Sequence, residues 1–425
     1  MTTKKTLILP IAALVAILGF LTIAPPIFAA SSEEVLYSFG KGGTNPYASL
    51  IFDGSGNLYG TTWGGGGGTC SFGGCGTVFE LIPKAGGGWK EKVLHRFDNN
   101  HKDGFYPSAS LIFDASGNLY GTTYQGGAYR FGTVFELTPK ANGDWTEKIL
   151  HSFYRYGKNG VYGKDGASPY ASLILDAAGN LYGTTTAGGA NLCQRDGCGT
   201  VFELTSKKGG GWTEKILHSF DNNGTDGYYP YGGLVFDASG NLYGTTTVGE
   251  GGGAAFELTP NTGGIWTEKI LSDIEPGSTG NLIFDAGGNL YGTSTGGGAD
   301  GLVFELTPNG DGTWALNVLH TFLMNGTDGI HPYGGVIFDA TGNLYGTTLG
   351  GGAHSLGTVF ELTPAGGGNW TETILHSFIN NESDGFSPYA GLIFDAAGKN
   401  LYGTTNLGGS NSDSRGWGTV FEITP

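Results

Sequence analysis

Short apolar runs rich in Val, Ile, Thr, Tyr and Phe follow one another from residue 31 to the end, separated by Gly, Asn, Asp and Pro. Runs of this kind predict β-strands. One sequence motif, NLYGTT or NLYGTS, recurs once in every repeat unit. Its copies begin at Asn57, Asn118, Asn180, Asn241, Asn289, Asn343 and Asn400. Each copy carries four runs in fixed order, which in the second copy are 109–114, 118–123, 132–138 and 145–153. The pattern therefore predicts seven four-stranded units.

Four antiparallel strands in about 50–60 residues, repeated seven times, are typical of a β-propeller. The two ends of the chain add to this prediction. Residues 34–39 match the fourth strand of the unit, and residues 418–425 match the third. Pairing the two would close the ring and remove two open sheet edges. We therefore predict an all-β chain in which residues 31–425 form a single seven-bladed propeller of four-stranded antiparallel blades.

The first 30 residues have a different pattern. Lys4 and Lys5 precede a nearly continuous apolar run over 7–23, and small residues follow at 29–31. This layout indicates a secretory signal peptide, with an uncleaved N-terminal anchor as the alternative. Either interpretation predicts that the body is secreted, periplasmic or at the cell surface. Membrane contact is expected only if the segment stays uncleaved.

Composition and charge limit the classes of molecule that the protein is expected to bind. The chain has 82 Gly, 13% aromatic and 14% charged residues, and its net charge is −16. An acidic surface repels phosphate backbones, so no nucleic-acid partner is expected. We expect a monomer. The close pairs Cys70–Cys75 and Cys193–Cys198 predict two local disulfides in an exported protein. Zinc binding is the alternative, and it would require the two pairs to meet.

The unit LIFDASGNLYGTT…GTVFELTP, which recurs along essentially the whole mature chain, resembles the GloVer-type tandem repeat of exported bacterial proteins. That resemblance implies export and a propeller-like fold, and it implies no established activity. Members of that family carry varied C-terminal anchors. This chain ends at Pro425 without a sorting tail, so the resemblance does not extend to that kind of anchor.

Several chemically active side chains recur once per unit, and their repetition favours structural roles. The aspartates that end the first strand precede Gly and Asn, as in turns. The glutamates of the third strand precede a Lys by twelve residues in four units, which indicates cross-strand pairs. Five histidines share one position in the fourth strand, where we expect packing. They are His95, His151, His218, His320 and His376.

Variation between the units indicates where function lies. The loops between the second and third strands vary, and the connectors between units carry a recurrent DG-x-x-P at 103–107, 165–169, 226–230, 328–332 and 384–388. Variable loops on a fixed scaffold commonly carry function. Aromatic rings mixed with polar groups suit carbohydrate stacking. The candidate ligand-binding residues are Trp63, Tyr124, Tyr129, Arg130, Tyr170, Tyr231, Tyr333, Tyr389 and Trp417. The alternative is that the tyrosines only plug the channel mouth.

These observations favour a non-catalytic extracellular propeller that binds a polysaccharide or a cell-surface protein on its variable face. No catalytic residue, metal ligand or cofactor is predicted, although runs such as 221–227 leave calcium open. One alternative is a secreted carbohydrate-active enzyme, a glycosidase or lyase, that uses non-repeated loop acids. Those acids are Asp196, Glu250, Asp300 and Asp413. The other alternative is a structural envelope or adhesion protein.

Overall fold

The computed structural model describes residues 31–71, 73–154, 165–191, 193, 196–224, 226–248, 252–275, 277–296, 300–410 and 415–425. Residues 31–425 form one compact unit. Its described part contains seven four-stranded antiparallel sheets, each in the order first, second, third and outer strand. This is the seven-bladed β-propeller that the repeat pattern predicts, and in the described residues the regular elements are strands apart from a short 3-10 helix at Thr262–Gly264.

The strands have similar bounds in every blade. The first strands are Ile51–Phe52, Ile112–Phe113, Ile174–Leu175, Val235–Phe236, Ile283–Phe284, Ile337–Phe338 and Ile393–Phe394. The second strands are Leu58–Thr62, Leu119–Thr123, Leu181–Thr185, Leu242–Thr245, Leu290–Ser294, Leu344–Thr348 and Leu401–Thr405. The third strands are Thr77–Pro83, Thr133–Pro139, Thr200–Ser206, Gly253–Pro260, Leu302–Pro308, Thr358–Gly366 and Thr419–Thr424. The outer strands are Trp89–Arg96, Trp145–Ser152, Trp212–Ser219, Trp266–Ile274, Trp314–Thr321, Asn369–Ser377 and Ser32–Ser38.

Short two-residue pairs link the connectors to the loops after the second strands. They are Gly104–Phe105 with Gln125–Gly126, Gly166–Ala167 with Ala187–Gly188, Gly329–Ile330 with Gly350–Gly351, and Gly385–Phe386 with Leu407–Gly408. The first strands are shorter than the sequence pattern predicts. In the second blade only Ile112–Phe113 pairs with the second strand, because residues 108–110 line the central cavity instead.

The ring closes between the two ends of the chain. Ser32–Ser38 runs antiparallel to Thr419–Thr424, with Glu34 opposite Glu422. In four other blades a lysine lies opposite this glutamate across the strands, and three of these form ion pairs, as in the 3.3 Å pair of Lys92 with Glu80. In the closing blade Glu422 instead accepts a hydrogen bond of 2.8 Å from the side-chain amide of Asn400. The N-terminal strand therefore completes the last blade.

Adjacent blades share an aromatic core. Phe97 follows the outer strand of the first blade and packs edge-on against Phe135 in the third strand of the second, with ring centroids 5.2 Å apart. Both rings are buried. The glycine of NLYGTT makes room for this layer, since a Cβ at Gly121 would lie 2.6 Å from Cζ of Phe135. That contact is too close for any side chain, which explains why the motif keeps glycine there.

The connectors hold adjacent blades together through the residue before proline. Tyr106 has φ of 62°, a left-handed conformation that non-glycine residues seldom adopt. Its N–H donates to the carbonyl of Cys75 in the first blade, and its carbonyl accepts from the N–H of Tyr124 in the second. The same conformation occurs at the other residues that precede these prolines, namely Asn45, Ser168, Tyr229, His331 and Ser387. The DG-x-x-P motif therefore encodes a backbone bridge between blades.

Candidate functional site

The first strands of all seven blades converge on a central channel. The residues just before them line a cavity of about 90 Å³. Tyrosine occupies the leading position in five blades, as Tyr47, Tyr170, Tyr231, Tyr333 and Tyr389. The other lining residues are small or polar, such as Ala and Ser. Each of the five tyrosines is half-buried, so part of each ring remains accessible.

The tyrosines contact each other around and across the mouth. Tyr333 stacks on Tyr389 with ring centroids 4.4 Å apart, and Tyr389 meets Tyr47 edge-on at 5.1 Å. On the other side Tyr170 meets Tyr231 at 5.3 Å. Tyr389 and Tyr170 line the same two cavities. Burial raises the pKa of both phenols, and the neighbouring tyrosines raise it further, so they stay protonated and can donate hydrogen bonds.

Trp63 extends this set into a cavity of about 370 Å³, whose walls also include Tyr47, Tyr170 and Tyr389. The indole stacks on Tyr106 with ring centroids 4.8 Å apart and an interplanar angle of 4°. It also lies 5.7 Å from Tyr124. Neighbouring rings therefore hold the indole in place, while one part of it faces the cavity.

A neighbouring cavity of about 430 Å³ combines rings with charged groups. Tyr124, Tyr231 and Arg130 line it together with Asp196. Arg130 is exposed, and its guanidinium lies 2.9 Å from Nε2 of His101. Six of the nine predicted ligand-binding residues thus lie along the walls of these adjoining cavities. We call this set the aromatic face: Trp63, Tyr124, Arg130, Tyr170, Tyr231 and Tyr389, with Tyr333 in the central cavity.

Two predicted residues lie apart from these cavity walls. Tyr129 is 56% exposed and meets Tyr154 edge-on at 5.5 Å. Trp417 packs against the core where the last blade meets the first. Among the loop acids, Asp300 accepts a hydrogen bond from the N–H of Met324 in another part of the ring. Glu250 and Asp413 lie outside the described residues, as does the predicted signal or anchor at 1–30.

Both predicted disulfides are present. Sγ of Cys70 lies 2.07 Å from Sγ of Cys75, and the distance between Cys193 and Cys198 is 2.03 Å. They close the loops that border the aromatic face. Two disulfides are typical of proteins that fold outside the reducing cytoplasm. Within the described residues, no helix has the length and hydrophobicity needed to cross a bilayer.

The repeated histidines do more than pack, and sequence reasoning missed their partners. Nε2 of His95 lies 3.2 Å from Oδ2 of Asp103 in the connector and 3.5 Å from Oε1 of Glu147 on the next blade. Burial, followed by the charge of Asp103, raises the pKa of Glu147 to about 9. We call these groups the interblade clusters. Those in the described residues are His95–Asp103–Glu147, His151–Asp165–Glu214, His218–Asp226–Glu268, His320–Asp328–Glu372 and His376–Asp384–Glu33.

Comparisons with known proteins place the chain in a family. A model described as the Gloeobacter/Verrucomicrobia repeat matches residues 26–163, 158–299 and 278–425. None of the curated proteins matches the chain.

Solved structures resemble the chain at low identity. An ancestral GH74 enzyme is 11% identical with a TM-score of 0.55, covering 90% of this chain and 48% of its own. This chain therefore spans about half the length of that enzyme. A gluconolactonase from Xanthomonas campestris is 14% identical with a TM-score of 0.43, covering 93% and 89% of the two chains. At these identities the likeness to the GH74 enzyme concerns the fold alone.

Proposed function

The chain belongs to the Gloeobacter/Verrucomicrobia repeat family, and we propose that it is a non-catalytic extracellular propeller that binds a neutral polysaccharide on its aromatic face. The observation that carries the proposal is the continuous set of half-buried rings around the channel mouth. Trp63 and Tyr124 connect Tyr47 on one side of that set with Tyr170 on the other.

Half-buried rings suit sugar binding because the apolar C–H face of a pyranose can stack on an aromatic ring. Here the rings are already held by their neighbours, as Trp63 is by Tyr106, so binding would order few side chains. The phenol hydroxyls and the Arg130 guanidinium supply hydrogen-bond donors at the edge of the same surface. A row of rings across two adjoining cavities fits successive residues of a chain better than a single small molecule.

Charge favours a neutral glycan. The net charge of −16 repels acidic polysaccharides at low ionic strength. Arg130 is the one cation among the described residues that line the aromatic face, and Asp196 lies in the same cavity. The surface therefore offers little net attraction for uronic acids or sulfated sugars.

Binding without cleavage agrees with the acids that line the site. Canonical glycoside hydrolysis uses two carboxyl groups roughly 5–10 Å apart. Among the described residues that line these three cavities, Asp196 is the single carboxylate. The carbohydrate-active alternative would have to recruit a second acid from another loop.

A glycan array with the purified protein tests the proposal, followed by analysis of bound glycans for breakdown products. We expect binding to neutral polysaccharides, no turnover, and loss of at least tenfold in affinity for Trp63→Ala and Tyr231→Ala. Ile265→Ala is the matched control, since Ile265 is 67% exposed in a turn between third and outer strands on the opposite face. Circular dichroism checks that each variant is folded.

Other outcomes would contradict the proposal in distinct ways. Turnover of a bound glycan would favour the glycosidase or lyase alternative. Equal loss in Ile265→Ala would place binding elsewhere on the molecule. Complete absence of glycan binding would favour a cell-surface protein partner or a structural envelope role.

A further inference from the structure

The interblade clusters join three separate segments at a buried position. Each takes its histidine from the outer strand of one blade, its aspartate from the connector and its glutamate from the outer strand of the next blade. In the described residues no lysine or arginine forms an ion pair with any member of these clusters. With both carboxyl groups ionised and the imidazole neutral, each cluster would hold two uncompensated negative charges. Buried charges of this kind are normally paired or coordinate a metal ion.

The clusters contain buried carboxylate oxygens that have no hydrogen-bond partner among the described residues. The aspartate side chains are between 1% and 9% exposed. Four of them carry a buried Oδ1 with no hydrogen-bond partner among the described residues, and the facing glutamates leave Oε1 in the same condition. Buried polar atoms in folded proteins are nearly always satisfied. Several equivalent orphan oxygens at equivalent places therefore indicate a missing partner that accepts electron pairs.

The spacing of the donor atoms fits a metal ion. In the first cluster Nε2 of His95 lies 3.2 Å from Asp103 and 3.5 Å from Glu147. Zinc–nitrogen and zinc–oxygen bonds of about 2.0–2.2 Å at tetrahedral angles place ligand atoms roughly 3.3–3.5 Å apart. One imidazole with two carboxylates is a ligand set suited to Zn²⁺ or a similar divalent transition metal, with a fourth position left for water.

The two blade junctions without a complete His–Asp–Glu cluster provide an internal comparison. Between the fourth and fifth blades all three ligands are absent together: Ser272 and Leu316 replace His and Glu, and the connector lacks DG-x-x-P. Between the last and first blades Tyr37 replaces His and Gly42 replaces Asp. There the Tyr37 hydroxyl donates directly to Glu91 at 2.9 Å. At the first of these junctions the three ligands are lost together, whereas at the second the glutamate is kept and bonds to Tyr37 instead of a histidine.

We propose that each interblade cluster binds one divalent transition-metal ion of the zinc type and thereby links two adjacent blades. This inference is independent of the proposed glycan binding, because it concerns the walls between blades and not the aromatic face. A metal that bridges blades would stabilise an exported ring without using a further disulfide.

The test uses untagged protein treated with a chelator, then dialysed and titrated with Zn²⁺ alone. Calorimetry and elemental analysis should give up to five Zn²⁺ per chain, with a rise in the thermal midpoint. Co²⁺ in place of Zn²⁺ should give the visible absorption of a tetrahedral N/O site. Glu147→Gln, which preserves side-chain shape, should reduce the count by one. Asp226→Asn should do the same at a different junction, so the test does not depend on one variant folding.

Ser272→Ala is the matched control, because it alters the equivalent position at the junction without ligands, and it should leave the zinc count unchanged. A zinc count that is unaffected by both Glu147→Gln and Asp226→Asn would overturn the proposal. Absence of zinc binding to the wild-type protein, together with a Glu147→Gln variant that is folded and stable, would also overturn it. That result would mean that the facing carboxyl groups share a proton instead.

Discussion

Replacing Phe97 with alanine tests whether the ring behaves as one cooperative structure. Phe97 is 1% exposed and contacts Phe135 in the next blade, with His95 at a centroid distance of 4.7 Å. Truncating a fully buried phenylalanine costs about 3–5 kcal/mol. If roughly 395 residues unfold in one transition, an unfolding entropy of about 2.1 cal/mol/K per residue converts this loss of stability to a fall of about 4–6 °C in the melting temperature. A blade that melted alone would shift by tens of degrees.

The assay is calorimetry combined with urea unfolding, which gives the midpoint and the dependence on denaturant. We expect a single transition, a drop of about 3–5 kcal/mol and an unchanged slope. Phe97→Ile is the control, since the fourth blade carries Ile274 at the same position, 1% exposed, and it should lose clearly less. A loss below about 1 kcal/mol, or two separate transitions, would refute the reasoning that interblade packing makes the ring cooperative.

Three further changes test other parts of the structure. Burial raises the pKa of Glu91, so the stability that this group contributes is lost as pH rises from the unfolded pKa of about 4.5 through the folded value; Glu91→Gln should remove that share of the pH dependence, and equal pH profiles in thermal melts would contradict it. The double change Cys193→Ala and Cys198→Ala opens a disulfide-closed loop of sequence separation 5. Because the unfolded chain gains entropy, the free energy of unfolding in urea should fall by about 2 kcal/mol. An unchanged value would mean that this disulfide contributes nothing to stability. Tyr120→Phe removes a hydroxyl whose single hydrogen lies between the carboxylates of Asp114 and Glu136, at oxygen–oxygen distances of 3.1 and 3.2 Å. The change should cost about 1.5–3 kcal/mol by the same assay, so a neutral result would argue against the repeated network.

The repeat made most of the architecture predictable. Strand order, blade number and ring closure follow from local patterns that recur in a fixed order. The match of residues 34–39 to the missing outer strand can be recognised from the amino-acid sequence alone. The disulfides were predictable because each pair is close in sequence. The lengths of the first strands were not, since the pattern cannot show that residues 108–110 leave the sheet to line the channel.

The site was predictable only in part. Position within the unit identified Tyr170, Tyr231 and Tyr389 as neighbours of the channel, and the structure brings them together there. It places Trp417, partly buried, against the core at a blade junction, because a loop residue's direction depends on the neighbouring blade. The interblade clusters left one sequence signal that was overlooked: His, Asp and Glu disappear together between the fourth and fifth blades.

The sequence by itself determined the family, the seven blades, their closure and the two disulfides, because each depends on residues that are near each other or repeat at a constant offset. Only the tertiary structure decided which side chains meet across blades. Tyr389 and Tyr170 line the same central cavity, and Glu33 from the first strand of the chain joins His376 and Asp384. Such contacts arise from the radial geometry of the closed ring, which brings together segments whose separation along the chain follows no local pattern.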